Sequence, residues 1–396
     1  MGGSLDPAPS FDPQALARDL QRRLIEHVGR ETTDSSGAAL AIDAAAYTDP
    51  DWLAAEKKAL FGAMPVLAAL SADLPEPGDR ILFEDAGPPI LIVRDSGRQV
   101  RAYLNICPHR AAKLVTECGR SKRLTCPFHG WTFDLDGRLV GQPHAAAFDN
   151  IDRGDLALVP VPVAEWEGLI FVRAGDGAPI DVARHLGSFA PEIAGLGLAG
   201  AQPVKRSRLA AKANWKYVLD TFGEGYHVRI LHPGTVGRFV VSDTVTYDGA
   251  GLHHRMSFAN KAMLEYASKP EAEWPDAELR VIYLLFPNTL IQSTPLGRGR
   301  NHIVYRIFPG DHPGESLTWL ESYRSGTASD DAMQPWIDAH DFQVEVVGGE
   351  DYPMAATAQR GLESGPPGQR LRFGKNEVAL QKFHRHVAAA IGRPLD

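Results

Sequence analysis

Two short couplets of cysteine and histidine constrain this chain more than anything else in its 396 residues: Cys107-Pro108-His109-Arg110 and Cys126-Pro127-Phe128-His129-Gly130-Trp131. As a pattern they read C-x-H-x16-C-x2-H, so each segment offers one thiolate and one imidazole. A [2Fe–2S] cluster with two Cys on one iron and two His on the other needs this inventory. Neutral imidazoles leave such a cluster less negative than four thiolates would, which raises its reduction potential and suits it to passing single electrons. A structural zinc site draws on the same residue types. Zinc fingers usually pair Cys with Cys and His with His, whereas here each segment carries one of each. The Pro after each Cys also suits two rigid, facing loops. Cys118, between the couplets, has no partner and reads as a plain free thiol.

With two of the three cysteines committed, no disulfide framework is left, which points to a reducing compartment. The net charge is −8 and no block of basic residues occurs, which argues against nucleic acid or an anionic membrane as partner. No apolar run reaches the ~18 residues of a membrane span. The segment Met1-Gly2-Gly3-Ser4-Leu5-Asp6 lacks the apolar core of a signal peptide. The expectation is a soluble, cytoplasmic protein with a loose tail over its first ten residues.

Leu16, Leu20, Leu24 and Ile25 recur at helical spacing between Asp12 and Arg30, predicting an amphipathic helix. Leu53 to Leu70 reads likewise, with a kink or break at Pro65. From Arg80 to Arg173 the pattern changes to short β-rich runs, such as Ile90-Leu91-Ile92-Val93 and Gly168-Leu169-Ile170-Phe171-Val172. Turns such as Asp95-Ser96-Gly97 separate them. A small antiparallel domain carrying the two metal loops at its tip follows, ending near 173–180. Beyond it a helical pattern covers Ala213 to His232. Strand-like runs then fall at Val240–Tyr247, His253–Phe258, Arg280–Phe286, Ile291–Thr294, Ile303–Phe308 and Ser316–Ser322. Helices are expected at Met333–Val347 and Asn376–Ala390. Gly297-Arg298-Gly299-Arg300 reads as a hairpin turn. The fold class is α+β, with an antiparallel sheet and covering helices after the small β domain.

A second concentration of ligand types lies in Asp220-Thr221-Phe222-Gly223-Glu224-Gly225-Tyr226-His227-Val228-Arg229-Ile230-Leu231-His232. His227 and His232 are five apart, which is no helical face. A helix ending near Ile230, before Pro233-Gly234, would still let both point into one cavity. Two imidazoles and a carboxylate on one face of an iron leave three positions for dioxygen and substrate. Among fourteen histidines, H-x4-H carries little weight alone. Beside an electron-donating cluster it carries much more.

The couplets resemble the Rieske domain of the Rieske non-heme iron oxygenases, specifically their large α subunit. The likeness extends through Tyr47-Thr48-Asp49-Pro50 with Glu56 and Phe61, through Glu167-Gly168-Leu169-Ile170-Phe171-Val172, and through Asn214-Trp215-Lys216 to near the C-terminus. It implies an N-terminal helical arm over 1–75 packing on the catalytic domain, a Rieske [2Fe–2S] domain over 76–175, and a helix-grip catalytic domain with a mononuclear iron over 176–396. Cluster ligands would be Cys107, His109, Cys126 and His129, and iron ligands His227, His232 and a carboxylate on a late helix. Asp351 is chosen for that carboxylate because the family's aspartate stands about eight residues before a Gln, here Gln359 in Gln359-Arg360-Gly361. Its neighbour Glu350, and Asp341 and Asp338, are the alternatives. The family's acid one turn before the first iron His bridges to a cluster His of the next subunit. Glu224 takes that place, where the family more often has Asp, and Asp220 is the runner-up. Such a bridge implies a head-to-tail ring, a homotrimer or an α3β3 assembly.

The resemblance further implies a terminal oxygenase that hydroxylates or oxidatively demethylates a small aromatic or hydrophobic compound. Its electrons would come from NAD(P)H through a separate reductase, with or without a ferredoxin, since no dinucleotide-binding G-x-G-x-x-G follows a strand. Pocket candidates are Leu219, Phe222, Phe239, Val241, Met256, Phe258, Leu285, Phe286, Leu290 and Gln292. An aromatic box would instead suit a quaternary ammonium compound through cation–π attraction. The other class of reading is a Rieske electron carrier without a functional second iron.

Overall fold

The computed structural model of the chain describes residues 11–85, 87–175, 177–276, 279–326 and 332–395. The expected N-terminal tail, and Asp176 within the expected boundary stretch, lie outside the described residues. Asp12 caps the first helix, Pro13–Arg30, its carboxylate accepting the backbone N–H groups of Gln14 (2.9 Å) and Ala15 (3.1 Å). The buried stripe Leu20, Leu24 and Ile25 packs on Ala259, Met263 and Leu279 of the later domain, so the arm is fastened by its apolar face.

The helix expected from Leu53 to Leu70 is shorter than its pattern. Pro50–Glu56 is α-helical, Lys57–Phe61 widens into a π-turn, and Val66–Leu70 is a fully buried strand. Pro65 accounts for the change: it disfavours helical backbone in the residue before it and offers no N–H. This strand pairs antiparallel with Leu169–Val172, which pairs with Val163–Trp166. A segment assigned to the arm therefore completes a sheet with strands of the following unit.

The cluster loops stand on two small antiparallel sheets. One is ordered Val100–Leu104, Ile90–Arg94, Asp79–Phe83, Gly119–Arg120; the other is Leu124–Thr125, Thr132–Phe133, Leu139–Gly141. Behind them runs a seven-stranded antiparallel sheet in the order Gln202–Ala211, Ser316–Ser325, Gly299–Pro309, Thr289–Leu296, Arg280–Leu285, His253–Asn260, Val240–Ala250. All six strands read from the sequence are present. The expected hairpin turn is there too, Leu296 pairing with Gly299. Gln202–Ala211 was missed because Lys205, Arg206 and Arg208 make it read as a polar loop, which is how an edge strand protects itself.

Helix Gln334–Val346 does not stop at Gly348-Gly349 as its composition suggests. It passes through a π-turn, Val347–Asp351, and continues as Tyr352–Ser364. Buried His340 seats this rod on the sheet by bonding Ser207 and Ser322 through its two ring nitrogens, each at 2.8 Å. The helix expected over Ala213–His232 is broken: Trp215–Asp220 and Val228–Leu231 are helical and the residues between are not. At Gly223 a Cβ would lie 2.0 Å from Leu380 Cδ2, so the Leu380 side chain of helix Val378–Ala390 packs into the space the glycine leaves.

The sequence segments around Tyr47 and Asn214 meet in this interior. Glu56, fully buried, accepts from Trp52 Nε1 (2.9 Å) and Trp215 Nε1 (2.8 Å) and pairs with Lys216 Nζ (2.5 Å). Removing one member would leave a buried charge without its partner, at a cost of ~3–5 kcal/mol. Among the described residues no helix is long and apolar enough to cross a membrane.

Candidate functional site

Each cysteine couplet folds into the same turn. The carbonyl of Cys107 accepts from the Ala111 N–H (2.9 Å) and the N–H of Cys107 donates to Ala112 (2.8 Å). In the other loop Cys126 accepts from Gly130 (3.0 Å) and donates to Trp131 (2.8 Å). The residue four after each Cys is left-handed, Ala111 at φ +57° and Gly130 at φ +70°. Matching turns bring one Cys and one His from each loop face to face. The His109 and His129 ring centroids are 4.6 Å apart, and His109 stacks on buried Trp131 at 4.7 Å.

Both cysteines are buried, and burial together with the adjacent Cys126 thiol pushes the Cys107 thiol up. His109 Nδ1 is buried with no hydrogen-bond partner among the described residues. Two facing thiols and an orphaned imidazole nitrogen fit a two-iron, two-sulfide cluster as donor set. Cys118 is exposed, in keeping with a free thiol.

The second site is assembled from distant parts of the chain. His227 and His232 cap the two ends of the short helix Val228–Leu231, so a separation of five still turns both rings inward, their centroids 5.0 Å apart. Asp351 ends the π-turn of the late helix. One donor atom from each of the three lies within 4.8 Å of the others; Asp351 Oδ1 is 3.1 Å from His232 Nε2 and 3.7 Å from His227 Nε2. Asp341 is elsewhere, paired with Lys205 at 2.6 Å, and Asp338 bonds Gln334.

Glu350 is not a member of this triad but holds it. Its Oε2 accepts from His232 Nδ1 and from Thr235 Oγ1 (2.8 Å). Glu224 does the same for the other ring, accepting from His227 Nδ1 and from the His227 backbone N–H (3.1 Å). With each Nδ1 bonded to a glutamate, both Nε2 atoms are turned toward Asp351. Burial alone would lower the His232 pKa, but the bonds to Asp351 and Glu350 outweigh it and raise it. Two imidazoles and a carboxylate converging on one point fit a mononuclear Fe(II) with open positions.

Asp220, the runner-up to Glu224 for the bridging acid, lines a cavity with Glu224, His227 and Asp351 but is bonded to other partners. Its carboxylate accepts from Tyr47 Oη (2.8 Å) and contacts His384 Nε2 (2.8 Å). Spacing placed it one turn before Glu224, but residues 221–227 are not helical, so that phase is lost.

A cavity of about 100 Å³ opens against the triad and includes Phe222, Phe258, Ile282, Gln292 and Tyr305 in its wall. A neighbouring cavity of about 310 Å³ includes Phe239 and shares Arg280, Gln292 and Gln343 with it. Of the ten pocket candidates, Phe222, Phe258 and Gln292 reach the inner cavity and Phe239 and Gln292 the outer. Leu219, Met256, Leu285, Phe286 and Leu290 are buried core, and Val241 packs beneath the arm helix. Arg280 was missed, because a sequence does not show which arginine lacks a partner.

The Rieske [2Fe-2S] domain model matches residues 64–163, and the ring hydroxylating alpha subunit (catalytic domain) model matches residues 198–393. The carnitine monooxygenase oxygenase subunit of Acinetobacter baumannii is 28% identical over 358 residues, 86% of this chain and 92% of its own. Among solved structures, the quaternary ammonium Rieske monooxygenase CntA with L-carnitine matches with a TM-score of 0.77 at 24% identity, covering 89% of this chain and 96% of that one. Naphthalene 1,2-dioxygenase from Rhodococcus matches with a TM-score of 0.71 at 20% identity, covering 94% and 98%. The chain thus belongs to the Rieske non-heme iron oxygenases as a large (α) subunit, a terminal oxygenase that spends dioxygen and reductase-supplied electrons on an organic substrate.

Proposed function

We propose that this oxygenase oxidises a quaternary ammonium compound at a carbon next to nitrogen, with His227, His232 and Asp351 holding the iron and Cys107, His109, Cys126 and His129 the cluster. The observation that carries the reading is the triad itself, three donor atoms within 4.8 Å of one another with each imidazole anchored by a glutamate. When bound, the iron supplies dioxygen activation and the cluster supplies single electrons. The chain's own residues do the rest. Glu224 and Glu350 fix the ring tautomers, and Phe222, Phe258 and Tyr305 supply aromatic faces suited to a cation. Relatives named for carnitine, glycine betaine and choline support this class over an aromatic hydrocarbon. In balance, a C–H bond, dioxygen, two electrons and two protons become C–OH and water. The carbinol then breaks its C–N bond, releasing an amine and a carbonyl compound.

Working units of an arm (1–75), a cluster domain (76–175) and a catalytic domain (176–396) follow from the same reading, acting as a head-to-tail homotrimer. Glu224 would bridge His227 to a cluster His of the next subunit. Exposed apolar side chains support such a contact: Phe128 (57% exposed) beside the cluster loop, and Ile230 (78%) and Met354 beside the triad. Mixing subunits tests it. His129→Ala and His232→Ala are each inactive, and a reassembled mixture recovers activity only when electrons cross between chains. A mixture that stays inactive while both variants keep their remaining metal would sink the bridge.

A further inference from the structure

Three buried arginines in this protein are answered by carboxylates. Arg94 pairs with Glu165 at 2.6 Å, Arg255 with Asp248 at 2.8 Å, and Arg306 with Glu321 at 2.8 Å. Arg280 is different. Among the described residues it has no hydrogen-bond or ion-pair partner, and its guanidinium lies over the Phe239 ring, 5.6 Å from the centroid. Burial alone holds it below the ordinary arginine range, with no anion raising it again. Half-buried in the lining of two cavities, its guanidinium is left free to pair with an anion that enters them.

Its position says what does. Arg280 opens the strand Arg280–Leu285, in register with Phe258 on one neighbour, and Ile282 two residues on pairs with Gln292 on the other. Residues two apart on a strand share a face. Arg280, Ile282, Phe258 and Gln292 accordingly form a wall of the cavity that His227, His232 and Asp351 also line. Arg280 also belongs to the outer cavity, so it stands where the two meet. The same lining carries the acids Asp351 and Glu224 and, on the strand, the one positive charge of Arg280.

We propose that Arg280 receives a carboxylate of the substrate, making the substrate an organic anion; resting on the reading above, it is a zwitterion with its ammonium group toward the iron and its carboxylate at Arg280. The guanidinium fork would hold that carboxylate by two parallel N–H bonds and so fix which carbon faces the triad.

The test uses the iron-loaded protein and ligand pairs that differ in the carboxylate: carnitine against its carboxamide, glycine betaine against choline, and benzoate against benzamide. Each is titrated against the ferrous–nitrosyl resonance of the mononuclear iron. The carboxylate member of a responding pair should bind roughly 30-fold or more tighter than its neutral partner. In Arg280→Gln that preference should shrink to about 3-fold or less, and Arg280→Lys should restore part of it. The cluster spectrum and the unliganded nitrosyl signal, unchanged in both variants, report an intact protein. Equal binding of both members in every pair overturns the proposal, even where choline is oxidised and the ammonium reading stands. A preference that survives Arg280→Gln also overturns it. An Arg280-dependent preference confined to benzoate upholds the carboxylate site and removes the ammonium reading instead.

Discussion

The two metal sites are built in opposite ways. The cluster loops are local: the four candidate ligands fall within 23 positions, on two turns with the same hydrogen bonds and a left-handed residue at the same place. The triad is remote. His227 and His232 meet an acid pair more than a hundred positions away, on a helix held to the sheet by His340 and by Tyr305 bonding Gln343 at 2.7 Å. A site made of turns depends on a few backbone conformations. A site made by docking a helix depends on everything that seats the helix.

The sharpest way to separate them is His232→Ala. Turnover should fall more than about a thousandfold, because the group that activates dioxygen loses a ligand, while the electron paramagnetic resonance of the reduced cluster stays as it was. Loss of the cluster signal would mean the two sites share ligands. A smaller effect is expected at Glu350. In Glu350→Ala the His232 ring loses the bond that orients it, and iron affinity should drop ~10–100-fold by chelator competition. Glu350→Gln, whose amide oxygen still accepts from Nδ1, should keep most of it. No change in either variant would assign Glu350 to the surface rather than to the site.

The smallest effect probes the loops. A Cβ at Gly130 would make only an ordinary van der Waals contact, with Pro143 at 3.5 Å, so Gly130→Ala meets chiefly the penalty of its left-handed backbone. Because Ala111 already occupies the equivalent place, the cost should be ~1 kcal/mol in a denaturant titration, with the cluster retained. Cluster loss would show that the two turns are not equivalent.

The same contrast explains what could be read from the amino-acid sequence. The cluster ligands were legible because their spacing and their fold lie in one stretch of chain. That His227 and His232 would meet was legible from the pair, and that Asp351 would join them from family likeness, while the bond from His232 to Glu350 needed the fold. Asp220, the runner-up to Glu224, was placed by a helical phase carried across Gly223 and Gly225, where the chain leaves the helix; Gly225 O instead accepts from Asp243 N and Ser242 Oγ, each at 2.9 Å. Strand Val66–Leu70 was read as helix because a short apolar run has no period of its own.

The π-turn at Val347–Asp351 gives this architecture one more property. Its closing bond spans five residues, from the Tyr352 N–H back to the Val347 carbonyl, so the rod takes up extra chain there without extra length. The helical stretches on either side are therefore out of step by roughly one residue, about 100° of rotation. A stripe followed along residues 334–346 and counted onward at 3.6 per turn arrives on the wrong side of residues 352–364. The candidate iron site is thus reached by a miscount of the helix, and Asp351 stands at the residue where the two counts disagree.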